Sequence, residues 1–199
     1  MSSYYKVNLE AFFNHKIIAD NKNEISDEIS NFGLDFESCL YLPSSLPDSN
    51  SIIDIGDIPF LFPDKSKYKY DNVSCEEQII MTPNRSFSKV ILLCLSEWGQ
   101  FDGVLDRLEV LCTNKQILFV DLFFPTYSVG LYKMKYNICN DYFIALKPLD
   151  STNTPRYIYM CSADIKNSDN EFFSIKLPYN PNIHIFAMTL QDDTLFNQN

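Results

Sequence analysis

Apolar residues along this chain come in short bursts cut by Asn, Asp, Ser and Pro. None keeps the 3.6-residue period of a long amphipathic helix. "KYKYDNVS" alternates at Lys67, Tyr68, Lys69 and Tyr70, the period of a half-exposed strand. "SKVILLCLS" is apolar at successive positions, as a strand must be when both its faces are buried. "IIDIGDIPFLF" reads as a strand bent at Gly56-Asp57, and "EQIIM" as a short strand stopped by Thr82-Pro83-Asn84. "GVLDRLEVLC", the turn "TNK" and "QILFVDLFF" predict a hairpin with Asn114 in a left-handed turn conformation.

Beyond Pro125, "LYKMKYNIC", "DYFIALKPL", "RYIYMCSADI", "EFFSIKL" and "IHIFAMTLQ" are further strand candidates. Near the start, "YYKVNL" and "KIIA" are compatible with strands. Residues 20–37 read as an acidic loop with at most a helical turn near "NEISDEISNF". "YLPSSLPDSN" is turn material, because Pro43 and Pro47 lack the N–H a ladder needs. Many short strands without a long helix predict a β-sandwich or barrel. No repeat or linker divides the chain, so a single domain is expected over residues 1–199.

Composition sharpens this picture. With 199 residues the chain can bury a core without needing disulfides or metal to fold. Its 16 Phe and 12 Tyr favour strands, and with only 5 Gly the turns fall to Asn, Asp, Ser and Pro. The net charge of −10 argues against nucleic acid and against anionic membrane surfaces, both of which need a basic face. Cys39, Cys75, Cys94, Cys112, Cys139 and Cys161 show no Cys-x-x-Cys spacing, which excludes zinc-ribbon and thioredoxin readings. Cys94 and Cys112 lie in apolar runs and are expected as buried thiols. The opening residues show no signal-peptide pattern, and no apolar run approaches membrane-spanning length. Thiols and the missing signal together point to the cytoplasm.

The stretch "DNVSCEEQIIMTP" (71–83), then "FSKVILLCLSEWGQFDGVLDRLEVLCTNKQ", resembles the jelly-roll β-sandwiches of the galactose-binding-like superfamily. The likeness is nearest to the carbohydrate-binding-module-like domains of bacterial glycoside hydrolases, such as α-fucosidases and α-mannosidases. In them an Asn-containing strand leads through a Gly-Gln step to an alternating strand ending in Pro, and a leucine run follows. The opening "VNLEAFFNHKIIAD" and the closing "LPYNPNIHIFAMTLQ" match the ends of such domains. Glu77 stands at the Gly of the Gly-Gln step, and "FESCLYLP" lacks the family's glycines. The resemblance implies a jelly-roll β-sandwich of two antiparallel sheets that binds a carbohydrate.

Candidate chemistry centres on "SEWGQFDG". Trp98, the sole tryptophan, is flanked by Glu97, Gln100 and Asp102 just after the buried strand. An aromatic face beside amides and carboxylates can stack on a sugar ring and bond its hydroxyls. The bland alternative is a Trp that caps the core. Glu97, Asp102 and His184 are the acid–base candidates if the chain is an enzyme. His184, inside "IHIFAM", reads more simply as a core or strand histidine, and His15 is the only other. Asp20, Asn21 and Asn23 form an oxygen-rich loop that could hold a structural calcium. They lack an Asp-x-Asp-x-Asp-Gly pattern, so a solvated loop is the simpler reading, and no cofactor is required. Three functions therefore stand: non-catalytic binding of a carbohydrate or similar small polar ligand, a small-molecule biosynthetic enzyme on the same scaffold, and a homo-oligomeric or protein-interaction subunit.

Overall fold

The computed structural model describes residues 3–17, 40–41, 52–64, 69–97, 103–126, 141–148, 156–166 and 170–192. Its strands are β1 (Ser3–Val7), β2 (Leu40–Tyr41), β3 (Ile52–Ile55), β4 (Ile58–Leu61), β5 (Val73–Glu76), β6 (Ile79–Arg85) and β7 (Lys89–Ser96). They continue with β8 (Gly103–Cys112), β9 (Ile117–Pro125), β10 (Asp141–Pro148), β11 (Arg156–Asp164), β12 (Phe172–Lys176) and β13 (Tyr179–Asp192). Among the described residues no α-helix occurs, and no helix is long and apolar enough to cross a membrane.

Two antiparallel sheets make an all-β sandwich. The larger runs β1-β13-β7-β11-β10-β2, with β5 also on β13; the smaller runs β6-β12-β8-β9. The series β5-β13-β7-β11 against β6-β12-β8-β9 is the strand order of a jelly roll. Strand β13 is long enough to serve two neighbours on one edge. Its first half pairs with β5, Ile185 opposite Val73, and its second half with β1, Met188 opposite Val7.

The apolar run of β7 explains itself in this frame. Val90, Leu92 and Cys94 face the smaller sheet, meeting Leu108, Val110, Leu122, Phe124, Phe172 and Ile175. Ile91, Leu93 and Leu95 face the other way, into a second cluster with Phe186, Ile17, Ile55, Phe60 and Phe62. Strand β7 is thus buried on both faces, the outer one covered by the β3–β4 hairpin. Thr189 Oγ1 ties that hairpin down with a 2.7 Å hydrogen bond to the Pro59 carbonyl. Cys75, Cys94, Cys112 and Cys161 are all buried and form no disulfide.

Three local expectations change. The segment "IIDIGDIPFLF" is a two-stranded hairpin rather than one bent strand. Gly56 and Asp57 both take positive φ (56° and 65°), the mark of a tight primed turn. The left-handed residue of the β8–β9 turn is Lys115 (φ 69°), not Asn114. Cys112 N donates to the Gln116 carbonyl at 2.9 Å, leaving a three-residue loop whose third position is left-handed, while Asn114 Oδ1 accepts from Gln116 N at 2.9 Å. Strand β6 passes through Thr82-Pro83-Asn84 to Arg85. It is an edge strand, where a missing N–H can face solvent without breaking a ladder. "LYKMKYNIC" lies outside the described residues.

Candidate functional site

The site lies where β5 and β13 begin and β7 ends. Ser96 pairs with Ile183, and Glu97 N continues the contact to the Asn182 carbonyl at 2.9 Å. His184 sits in β13 between Ser74 of β5 and Leu95 of β7. Its neighbours Ile183 and Ile185 point into the inter-sheet core, so strand alternation turns the imidazole to the outer face. That face would be open here but for the segment carrying Asn14 and His15. His15 forms an antiparallel bridge with Asn72, closed by His15 N to Asn72 O (3.3 Å) and Asn72 N to His15 O (3.2 Å). The two imidazoles then lie 4.7 Å apart between centroids, tilted by 40°.

Asn72, fully buried, organises the cluster. Its amide nitrogen donates to the His15 carbonyl (3.1 Å) and to Asp71 Oδ1 (2.8 Å). This network assigns the amide orientation, since the flipped form would set an oxygen against two acceptors. Asn72 Oδ1 therefore faces His184 Nδ1, 2.8 Å away, and can only accept. His184 carries its proton on Nδ1. Its Nε2 is left 3.1 Å from Glu97 Oε1, yet that nitrogen makes no aligned hydrogen bond. Both groups are sequestered, the His184 side chain 1% and the Glu97 side chain 10% exposed.

Around this pair is a cavity of ≈ 100 Å³ lined by Asn14, His15, Ser74, Glu76, Glu97, Pro181, Asn182 and His184. Several of these groups are already committed. Asn14 accepts from Ser74 N at 2.7 Å and donates to the Ser74 carbonyl at 3.1 Å. Ser74 Oγ donates to the Pro181 carbonyl at 2.9 Å. Burial, and then the neighbouring His184, hold His15 far below its ordinary value, down to about 3, so it is a neutral wall at physiological pH. The two lining carboxylates give the cavity an acceptor-rich, acidic character. It suits ligands that donate hydrogen bonds and disfavours anions.

Of the sequence candidates, Glu97 and His184 are brought together. Trp98, Gln100 and Asp102 lie outside the described residues, as do Asp20, Asn21 and Asn23, the candidate calcium loop. Among the described residues no group of three or more His, Cys, Asp and Glu has a metal-holding arrangement. His184 is a strand histidine and also a cavity wall. Asn14, His15, Asn72, Ser74 and Asn182 carry no sequence signal as site residues. Within "CEEQ" only Glu76 reaches the cavity; Cys75 points into the core, and burial pushes its thiol well up. Gln78 ties the turn by accepting from Glu76 N (2.7 Å) and donating to the Ser74 carbonyl (2.8 Å).

No family model matches the chain, and no curated protein matches it in sequence.

Proposed function

We propose that the chain binds a small, neutral, hydroxyl-bearing ligand of the carbohydrate class in the cavity beside His184 and Glu97. The observation that carries this is His184 Nε2, a buried polar atom without an aligned hydrogen bond in a residue that lines a polar cavity. Leaving such an atom unsatisfied costs about 1–3 kcal/mol, which a ligand hydroxyl entering the cavity recovers. Glu76 and Glu97 accept further hydroxyls, and the absence of Lys or Arg from the described lining weighs against an anion. At ≈ 100 Å³ the cavity takes one edge or arm of a sugar rather than a whole ring. Trp98, next to Glu97 in the chain, with Gln100 and Asp102, completes this reading as the stacking face and outer polar contacts.

A galactose-binding-like ancestry is part of the proposal and gains support from one backbone angle. Glu77, where the similar domains have Gly, takes φ 62°, the left-handed conformation that favours glycine. Its carboxylate is held outside the site by Lys176 at 2.8 Å. The test is nitrogen-15 NMR of the histidine side chains during titration with neutral mono- and disaccharides. The His184 Nε2 resonance should move on binding, and Glu97→Gln should weaken binding at least about tenfold, as expected for a hydrogen bond to a charged group. Unmoved histidine resonances across the panel would remove the proposal. Proton transfer at the same residues is a second reading, favoured by the Glu97–His184 contact.

A further inference from the structure

We propose that Glu97 and His184 form an acid–base pair that opens and recloses a cyclic hemiacetal, interconverting the two anomers of a reducing sugar. This rests on the carbohydrate reading of the cavity and adds a reaction to it.

Because Asn72 Oδ1 accepts a hydrogen bond from Nδ1–H, exchange at His184 is confined to Nε2, the nitrogen beside Glu97. Nε2 and Glu97 Oε1 are 3.1 Å apart. With no proton on either, two acceptors would oppose each other in a buried place; with one proton, the pair offers a donor beside an acceptor. Lack of an aligned bond between them leaves each able to engage something else. Two other lining groups, Asn14 and Ser74, are consumed by main-chain partners.

A hemiacetal presents the matching pair on a single carbon, a hydroxyl that donates and a ring oxygen that accepts. In the opening step the unprotonated member of the pair takes the hydroxyl proton. The O–H electrons become the new C=O bond as the bond from the anomeric carbon to the ring oxygen breaks. The electron pair of that bond goes to the ring oxygen, which takes the proton held by the other member. The pair ends with its proton moved from one member to the other. Rotation of the aldehyde and the reverse transfer close the opposite anomer, so no proton is consumed and no oxidant, reductant or metal enters. Asn72 is a positioning residue: it touches no substrate, but it decides which imidazole nitrogen exchanges.

The experiment follows anomer interconversion of freshly dissolved α-glucose, α-galactose, α-mannose and α-xylose by polarimetry, and binding of the same sugars by NMR. Wild type is compared with Glu97→Gln, which keeps the side-chain shape but cannot accept a proton. Histidine nitrogen-15 shifts of the unliganded protein report the tautomer. We expect wild type to accelerate at least one sugar. Glu97→Gln should lower kcat about 10²–10⁴-fold, the usual contribution of general acid–base catalysis, beyond the roughly tenfold loss of binding that raises KM. The His184 shifts should show Nδ1 protonated. Binding without acceleration overturns the reaction and leaves the binding reading standing; no binding removes both. Equal acceleration by wild type and Glu97→Gln, or a proton found on Nε2 with Nδ1 bare, also overturns it.

Discussion

Acidification should unfold this protein through His15 in a way a single substitution exposes. The ring is buried, 6% exposed, and packs against His184. Its pKa is lowered from 6.5 to about 3, by burial first and by His184 second. An unfolded chain takes up the His15 proton near 6.5 and the folded chain only near 3. Stability attributable to this residue is therefore fully present above about pH 6.5 and is lost as pH falls toward 3. One proton corresponds to about 1.4 kcal/mol per pH unit in that window. The loss from pH 7.5 to 4.5 comes to about 2–3 kcal/mol, and to about 5 kcal/mol once pH drops below 3. Set against a typical total of about 5–15 kcal/mol, this is a large share. The assay is urea denaturation at pH steps across the window, for wild type and His15→Gln. The variant has its own stability offset, and the carboxylates titrate in both proteins, so the informative quantity is the difference in slope. His15→Gln should lose stability more slowly on acidification, by close to one proton's worth. Parallel curves would refute the reasoning.

Gly103 should not tolerate a side chain: a Cβ there would collide with Phe123 Cζ and meet the Phe124 carbonyl oxygen at 2.5 Å. Gly103→Ala should cost about 1–3 kcal/mol in urea denaturation, and an unchanged midpoint would contradict the packing. Cys75, Cys94, Cys112 and Cys161 should resist a thiol reagent in the native protein and react once it is denatured, since all are buried and burial raises the Cys75 and Cys112 thiols. Rapid native labelling of any of the four, read by peptide mass, would sink that expectation. Trp98→Ala should abolish sugar binding with little change in melting temperature if the residue stacks on ligand. A stability loss of about 3–5 kcal/mol would identify it instead as a core cap.

Much of the fold could be read from local pattern because its strongest constraint is local. The unbroken apolar run 90–95 demands burial on both faces, and β7 has it. At Pro83, position within the sheet decided the matter. Pro83 stops a central strand but not an edge strand, and nothing within "EQIIMTPNR" reveals that β6 is an edge. Strand β13 begins at Tyr179, four residues before the apolar alternation announces it, because β5 pairs with its polar start. The same limit governs the site. Glu97 and His184 could be singled out by residue type, but their meeting depends on the β7–β13 register. Asn72 and His15 are 57 residues apart, and their contact is set by a main-chain bridge that leaves no periodic trace.

The cluster is lopsided in a way that bears on why it exists. On one side the bonds around Asn72 are made: its amide makes both its donor bonds, Asp71 also receives the Ile17 N–H at 3.1 Å, and His184 Nδ1 has its acceptor. On the other side a buried imidazole nitrogen and a nearly buried carboxylate sit close without an aligned bond, facing a cavity. A network that served only to stabilise would close at both ends, because half-satisfied buried polar groups are worse for stability than an apolar core. Leu or Phe at position 184 would bury the same face of β13 beside Leu95 without that penalty. The sequence instead has a histidine there, fixes its tautomer from behind through residues as distant as Asp71 and His15, and leaves its working nitrogen toward the cavity. That asymmetry, rigid at the back and open at the front, is the arrangement expected of a site that waits for a ligand.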